Sequence, residues 1–261
     1  MSTNNFACTR KDLLHLESSV QLKQPSLGLM LDDFYVGVWH RTWEKGTSLP
    51  SSTKVIWFQT HKFFADIRIP ATSRELQQSF AGHTTIEGNR CQWHQWCSLS
   101  SLLDDTASLE LSKDSCEIKE YCDDGGEEVW KKENKKIEKI MSLELIDTQS
   151  NDNICAKYEE TTTQKGFLLV LENEFIRVFS DKKEGTYESC YGNISKDGSF
   201  IVSDSTTASI EGEILHSNKE MHRFGDIIIE EIDDFNVRRW FVHEMKGDLT
   251  ISEGDKIVFQ T

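Results

Sequence analysis

Residues 55–70, VIWFQTHKFFADIRIP, limit the possible folds more than any other stretch of this chain. Two apolar runs, Val55–Phe58 and Phe63–Ile69, flank the polar corner Gln59-Thr60-His61-Lys62. Short aromatic and β-branched runs either side of such a corner predict a β-hairpin. Side chains alternate across a strand. Phe63, Ala65, Ile67 and Ile69 therefore take one face of the second run, and Phe64, Asp66 and Arg68 the other. One sheet face carries a charged pair beside bulky aromatics.

Strands of the same kind recur along the chain. Phe34–Trp43 alternates so that Tyr35, Gly37, Trp39, Arg41 and Trp43 share a face. Ser79–Thr85 reads as a strand with a bend at Gly82. In Arg90–Cys97, alternation puts Cys91, Trp93, Gln95 and Cys97 on one side and Gln92, His94 and Trp96 on the other. Ala107–Leu111, Cys116–Tyr121 and Glu128–Lys132 follow, separated by turn residues. Roughly eight strands fit before residue 135, enough to close a small antiparallel barrel. The polar stretch 147–153 reads as a junction, giving an N-terminal barrel over 1–150 and a smaller barrel or half-barrel over 151–261. Phe167–Leu171 and Phe175–Phe179 form a second hairpin. Short helical segments are expected at Arg10–Glu17 and Ser73–Gln78. Leu31–Trp39 echoes Ile232–Trp240, as a duplicated barrel would.

Charge narrows the partners. A formal net charge of −15 repels nucleic-acid backbones and anionic membranes. A protein partner with a basic surface remains compatible with it. The lysine-rich run Lys131–Lys139 is broken by Glu133 and Glu138 and is expected to be a solvated strand edge. No stretch has the length and apolarity of a membrane span or signal sequence. Seven cysteines, an odd number without regular spacing, fit a reducing compartment. The expected location is cytoplasmic. On one extended strand Cys91 and Cys97 would lie about 20 Å apart, beyond disulfide reach.

Gly37-Val38-Trp39, Trp57-x-Gln59, Ala65-Asp66-x-Arg68-x-Pro70, Phe80-Ala81-Gly82 and Trp93 together carry a resemblance. The chain resembles a family of uncharacterised lipocalin-like proteins known mainly from bacterial genomes. More distantly, it resembles fungal proteins built from two lipocalin-like barrels. The resemblance implies an all-β fold of two lipocalin-like, calycin-like antiparallel β-barrels with little helix, the second smaller or incomplete. It also implies that Trp39 plugs a closed barrel end. A glycine-led hairpin and an acidic strand followed by a Trp are implied later in the chain, with Gly166–Val170, Ile210–Glu213 and Trp240 as counterparts. No activity comes with the resemblance.

The residues leave three functional readings open. Arg41, Asp66 and Arg68 offer a charged floor to a ligand carboxylate or carbonyl, or a structural ion pair tying neighbouring strands. Trp39, Trp57 and Trp93 offer stacking surfaces to a flat ligand, or fill a core. With Gln59, these make a candidate ligand-binding set for a small, largely apolar molecule. A cofactor-independent isomerase, cyclase or lyase would need a shaped cavity and a tuned acid, for which Asp66 and His94 are candidates. A non-catalytic interaction module with filled barrels is the third reading. His40, His61, His83 and His94 lack metal-site spacing, and no phosphate loop, nucleophile elbow or dinucleotide fingerprint occurs. No metal or cofactor is expected.

Overall fold

The computed structural model describes residues 6–9, 30–46, 52–71, 77–99, 105–133, 136–150, 163–216, 221–232, 236–247, 252–253 and 256–259. Among them the chain is all β apart from one 3-10 turn at Ala208–Ile210. Eight antiparallel strands close into a barrel: β2 (Gly37–Lys45), β3 (Lys54–Gln59), β4 (Phe63–Ile69), β5 (Gln78–Glu87), β6 (Arg90–Ser98), β7 (Asp105–Leu111), β8 (Glu117–Cys122) and β9 (Glu127–Lys131). The strand β1 (Phe6–Thr9) pairs with β20 (Lys256–Phe259), outside both larger sheets.

A second sheet starts at β10 (Ile140–Ser150) and continues through β11 (Gln164–Leu171), β12 (Glu174–Asp181), β13 (Thr186–Ile194), β14 (Phe200–Ser205) and β15 (Ile214–His216). On its other side β10 pairs with β18 (Asn236–Lys246), followed by β17 (Ile227–Glu231), β16 (Met221–Phe224) and β19 (Ser252–Glu253). This sheet curls far enough for Leu168, Phe175 and Phe200 to share a core with Ile228 and Trp240. Among the described residues its margins, β15 and β19, are not paired with each other. It is a half-barrel beside a closed barrel.

A third core joins the two. Phe58, Phe63 and Ile67, on the outer face of β3–β4, pack with Phe167, Leu169 and Ile176 of β11–β12. The rings of Phe63 and Phe167 lie 5.4 Å apart. Strands covered on both faces need apolar residues at successive positions. That is why β3 and β11 read as continuous apolar runs rather than alternating ones. Polar bolts reinforce the contact, with Ser79 donating to Ser189 at 2.8 Å and Lys54 to Asp204 at 2.6 Å.

Four expectations need correction or relocation. The lysine run is not uniformly solvated. Lys132 is buried, and its ammonium donates to the carbonyls of Phe34 at 2.7 Å and Val36 at 2.9 Å. Burial without a carboxylate partner lowers its pKa to about 8. Cys97 does not share a face with Cys91. An irregularity pairs Ala81 with Cys97 but Gly82 with Gln95, so Trp96 is an extra residue. Cys91 then points into the barrel while Cys97 joins the core between the sheets. A side chain at Gly82 would sit 1.8 Å from the carbonyl oxygen of His94, which fixes glycine at this bend. The residues 210–213, expected as an acidic strand, end the 3-10 turn and form a turn at Gly212. The acidic strand before Trp240 is β17. Strand β10 runs through Ser150 and so carries the first part of the polar stretch 147–153. The helical candidate Arg10–Glu17 and most of Ser73–Gln78 lie outside the described residues.

Candidate functional site

One end of the closed barrel is sealed. The indole nitrogen of Trp39 donates to the carbonyl of Tyr35 at 2.9 Å, and the Lys132 ammonium sits 4.6 Å from the Trp39 ring. Trp57 stacks on Trp39 with centroids 6.0 Å apart. From there the interior is filled by Trp93 and Trp130, each 5.6 Å from Trp57 and turned by 80° and 78° to it.

Beyond this aromatic floor lies a cavity of about 20 Å³, measured as space open to the centre of a water molecule. That holds about one water. Trp57, Trp93, Trp130 and Phe80 supply its apolar lining, and Asp66, Arg68, Asp105 and Glu120 its charged lining. Strand alternation brings Asp66 and Arg68 to the inner face of β4, where Arg68 Nε donates to Asp66 Oδ1 at 2.9 Å. The Arg68 guanidinium lies 4.7 Å from the Phe80 ring. Asp105 begins β7 and is exposed, so it marks the solvent side of the cavity.

Glu120 is the most perturbed of these groups with respect to its usual carboxylate range. Burial, together with the carboxylates of Glu128 and Asp105, pushes its pKa up to about 8. It accepts a hydrogen bond from Trp130 Nε1 at 2.8 Å and a weak one from the Cys122 thiol at 3.5 Å. Burial also raises Asp66, to about 6, against the opposing pull of Arg68. Trp57 is 3% exposed, and its indole N–H has no hydrogen-bond partner among the described residues.

Of the candidates read from sequence, the fold brings Trp57, Asp66, Arg68 and Trp93 to this one cavity. Trp39 lies beneath it in the sealed end. Arg41 faces inward but is bound to Glu128 at 2.8 Å and Glu44 at 2.9 Å. Gln59 is elsewhere: it donates to the carbonyls of Thr60 and Phe63 and accepts from Thr84, which locks the hairpin corner. His94 stacks on His83 with centroids 4.3 Å apart and meets Thr85 at 3.1 Å. It stands on the face of the sheet opposite Asp66, and the two do not converge.

Glu120, Asp105 and Trp130 were not singled out in the sequence, and Phe80 only among the residues that carry the resemblance. A signal for two of them exists. Glu120 and Trp130 are ten residues apart with Asp123-Asp124 between, and Glu230 and Trp240 are ten apart with Asp233-Asp234 between. In the half-barrel Trp240 Nε1 donates to Glu230 at 2.6 Å, the same bond on the equivalent final hairpin. There the carboxylate also meets Arg238 at 2.9 Å and Arg177 at 3.8 Å. The Glu–Trp bond of the β8–β9 hairpin thus recurs in β17–β18.

A larger cleft of about 310 Å³ lies between the two sheets, lined by Val38, His40, Lys132, Ile137, Glu174 and Tyr191 among others. Its main polar groups are already committed, Tyr191 to Glu174 at 2.5 Å and Lys132 to backbone carbonyls.

No protein-family model matches the chain, and no curated protein matches it in sequence. Among solved structures, the uncharacterized protein YLR301w from Saccharomyces cerevisiae is similar, with a TM-score of 0.52 and 13% identity. The match covers 80% of this chain and 98% of that one. At this identity the likeness concerns the fold alone. Both it and the barrel topology are compatible with a lipocalin-like architecture.

Proposed function

We propose that the protein binds a small, largely apolar molecule inside its N-terminal barrel, with one polar group of that molecule seated against Trp57, Asp66, Arg68 and Glu120. The observation that carries this reading is the unpartnered Trp57 N–H in a walled cavity. A buried donor left unsatisfied costs about 1–3 kcal/mol, and this one borders a space that can hold its acceptor. A ligand oxygen or a water held beside the ligand removes that cost. The cavity admits one polar group of about water size, with Asp105 on its solvent side. The lipocalin-like resemblance agrees with interior binding. The five described cysteines are all unpaired, in keeping with a cytoplasmic location.

Native and denaturing mass spectra of the protein from its natural source test this. An extra mass lost on denaturation is the expected result. Trp57→Phe keeps an aromatic ring at the site, removes the donor, and should weaken binding of the recovered compound by about fivefold to thirtyfold.

The cavity's small volume favours a second reading, a filled scaffold whose acidic surface meets a basic protein partner. Repeated preparations carrying no bound compound, together with partner capture abolished by surface charge reversal, would establish that reading instead.

A further inference from the structure

Resting on the reading of the barrel as a ligand site, we infer that the polar group admitted to the cavity is a cation: the ammonium of an amine bearing an apolar tail. Three carboxyls line the space, Asp66, Asp105 and Glu120, against one guanidinium, Arg68. That guanidinium is already bound to Asp66. The neighbouring Arg41 is taken up by Glu128 and Glu44. No cation among the described residues lies within bonding distance of Glu120.

The half-barrel shows what the same position holds when it is a closed structural pair. Glu230, bonded to Trp240 as Glu120 is to Trp130, is met by Arg238 and Arg177. On β9, the residue two before the Trp is Glu128 rather than an arginine, so the closed barrel adds a carboxylate where the half-barrel adds a cation. The cation missing from the protein is the one a ligand would bring.

The walls suit it. Three indole rings border the space, and Trp93 and Trp130 both stand nearly perpendicular to Trp57, so that aromatic faces and edges surround the site on several sides. A cation over such a face gains about 0.5–2 kcal/mol in other proteins, more when it is desolvated. A bare metal ion fits less well, because no three acidic, histidine or cysteine groups among the described residues are placed to hold one. An ammonium cannot accept from the Trp57 N–H and the space has no room for a water as well, so a hydroxyl on the ligand's own adjoining carbon is what would serve that donor.

Proton exchange follows from the same surroundings. Glu120 faces Asp66, Asp105, Glu128, Cys91 and Cys122, with Arg68 and Arg41 as the nearby cations. At neutral pH its carboxyl retains a proton, and an incoming ammonium displaces that proton to solvent. Affinity for a permanently charged amine therefore rises with pH until Glu120 is ionised.

The test compares hexylammonium, hexanol and hexanoate by calorimetric titration of the full chain at about pH 6.5 and about pH 8.5, where the amine stays charged. Hexylammonium should bind at least about tenfold more tightly than hexanol at the higher pH, with hexanoate not binding. Its affinity should rise by about tenfold between the two conditions. Glu120→Gln retains an acceptor for Trp130 and should remove both the preference and the pH response. Asp105→Asn, at the exposed rim, should lower hexylammonium affinity by about threefold. If hexanol binds as tightly as hexylammonium, the cationic head is wrong while interior binding stands. If none of the three binds, both fall.

Discussion

Trp130 donates its indole proton to Glu120 at 2.8 Å, and the bond recurs between Trp240 and Glu230 at 2.6 Å in the half-barrel. The two carboxyls hold equivalent places on the final hairpin of each sheet, yet their surroundings oppose one another. Glu230 sits among guanidiniums and Glu120 among carboxylates. One is an internal ion pair. The other is a buried acid without its base.

Substitution should separate the two. Glu230→Gln leaves Arg177 and Arg238 without their shared carboxylate and should destabilise the protein by about 3 kcal/mol. Glu120→Gln removes a carboxyl whose charge the site disfavours, and should leave the protein at least as stable as wild type. Urea unfolding midpoints at neutral pH compare them.

The raised pKa of Glu120 sets a sign for pH dependence. The folded state holds this proton when the unfolded chain has released it, so stability falls as pH rises from the unfolded carboxyl range toward about 8. The slope from this group is at most about 1.4 kcal/mol per pH unit. Glu120→Gln lacks this titration, so its stability relative to wild type should rise through that window and level off above it.

His61 lies between two acids, with Nδ1 2.5 Å from Glu244 and Nε2 2.8 Å from Asp33. Both ring nitrogens can donate only in the imidazolium. Burial opposes that charge, but the paired carboxylates outweigh it and raise the pKa. Stability from this clamp is present below the normal histidine pKa and lost as pH rises through the raised one. Because Asp33 is largely exposed, His61→Gln should cost only about 1 kcal/mol at pH near 6 and little at pH near 9. Thermal melts at the two values check it, and the imidazole proton resonance should titrate above its ordinary midpoint.

Lys132 closes the sealed end of the barrel. Lys132→Met keeps the stem but leaves the carbonyls of Phe34 and Val36 without their shared donor, and should cost about 2–3 kcal/mol. Amide exchange would show the loss concentrated at residues 34–39.

Much of the barrel was legible because its strands are short, regularly spaced and bounded by clear turns. The division of β4 into two faces followed from alternation, though not which of them is inward, and Asp66, Arg68, Trp57 and Trp93 do meet. Alternation failed where geometry departs from it. The extra residue at Trp96 turns Cys97 to the opposite face, which no two-residue period reveals. Lys132 hides inside a run of charged neighbours whose composition describes solvent exposure on average. Glu120 sits in a strand that reads as polar, and only its partnership with a Trp ten positions later marks it as internal. Which face of β3 is inward was undecidable locally, since its outer face is covered by another sheet.

That covering has a consequence for how the molecule can be divided. A fragment ending after β9 would contain every hydrogen bond of the closed barrel and still carry Phe58, Phe63 and Ile67 on its outside. The half-barrel alone would expose Phe167, Leu169 and Ile176 in the same way. Each part would be its own sticky surface, prone to self-association. Melting should accordingly show a single cooperative unit, and evolutionary gain or loss of either half would require a new surface on the half that stays.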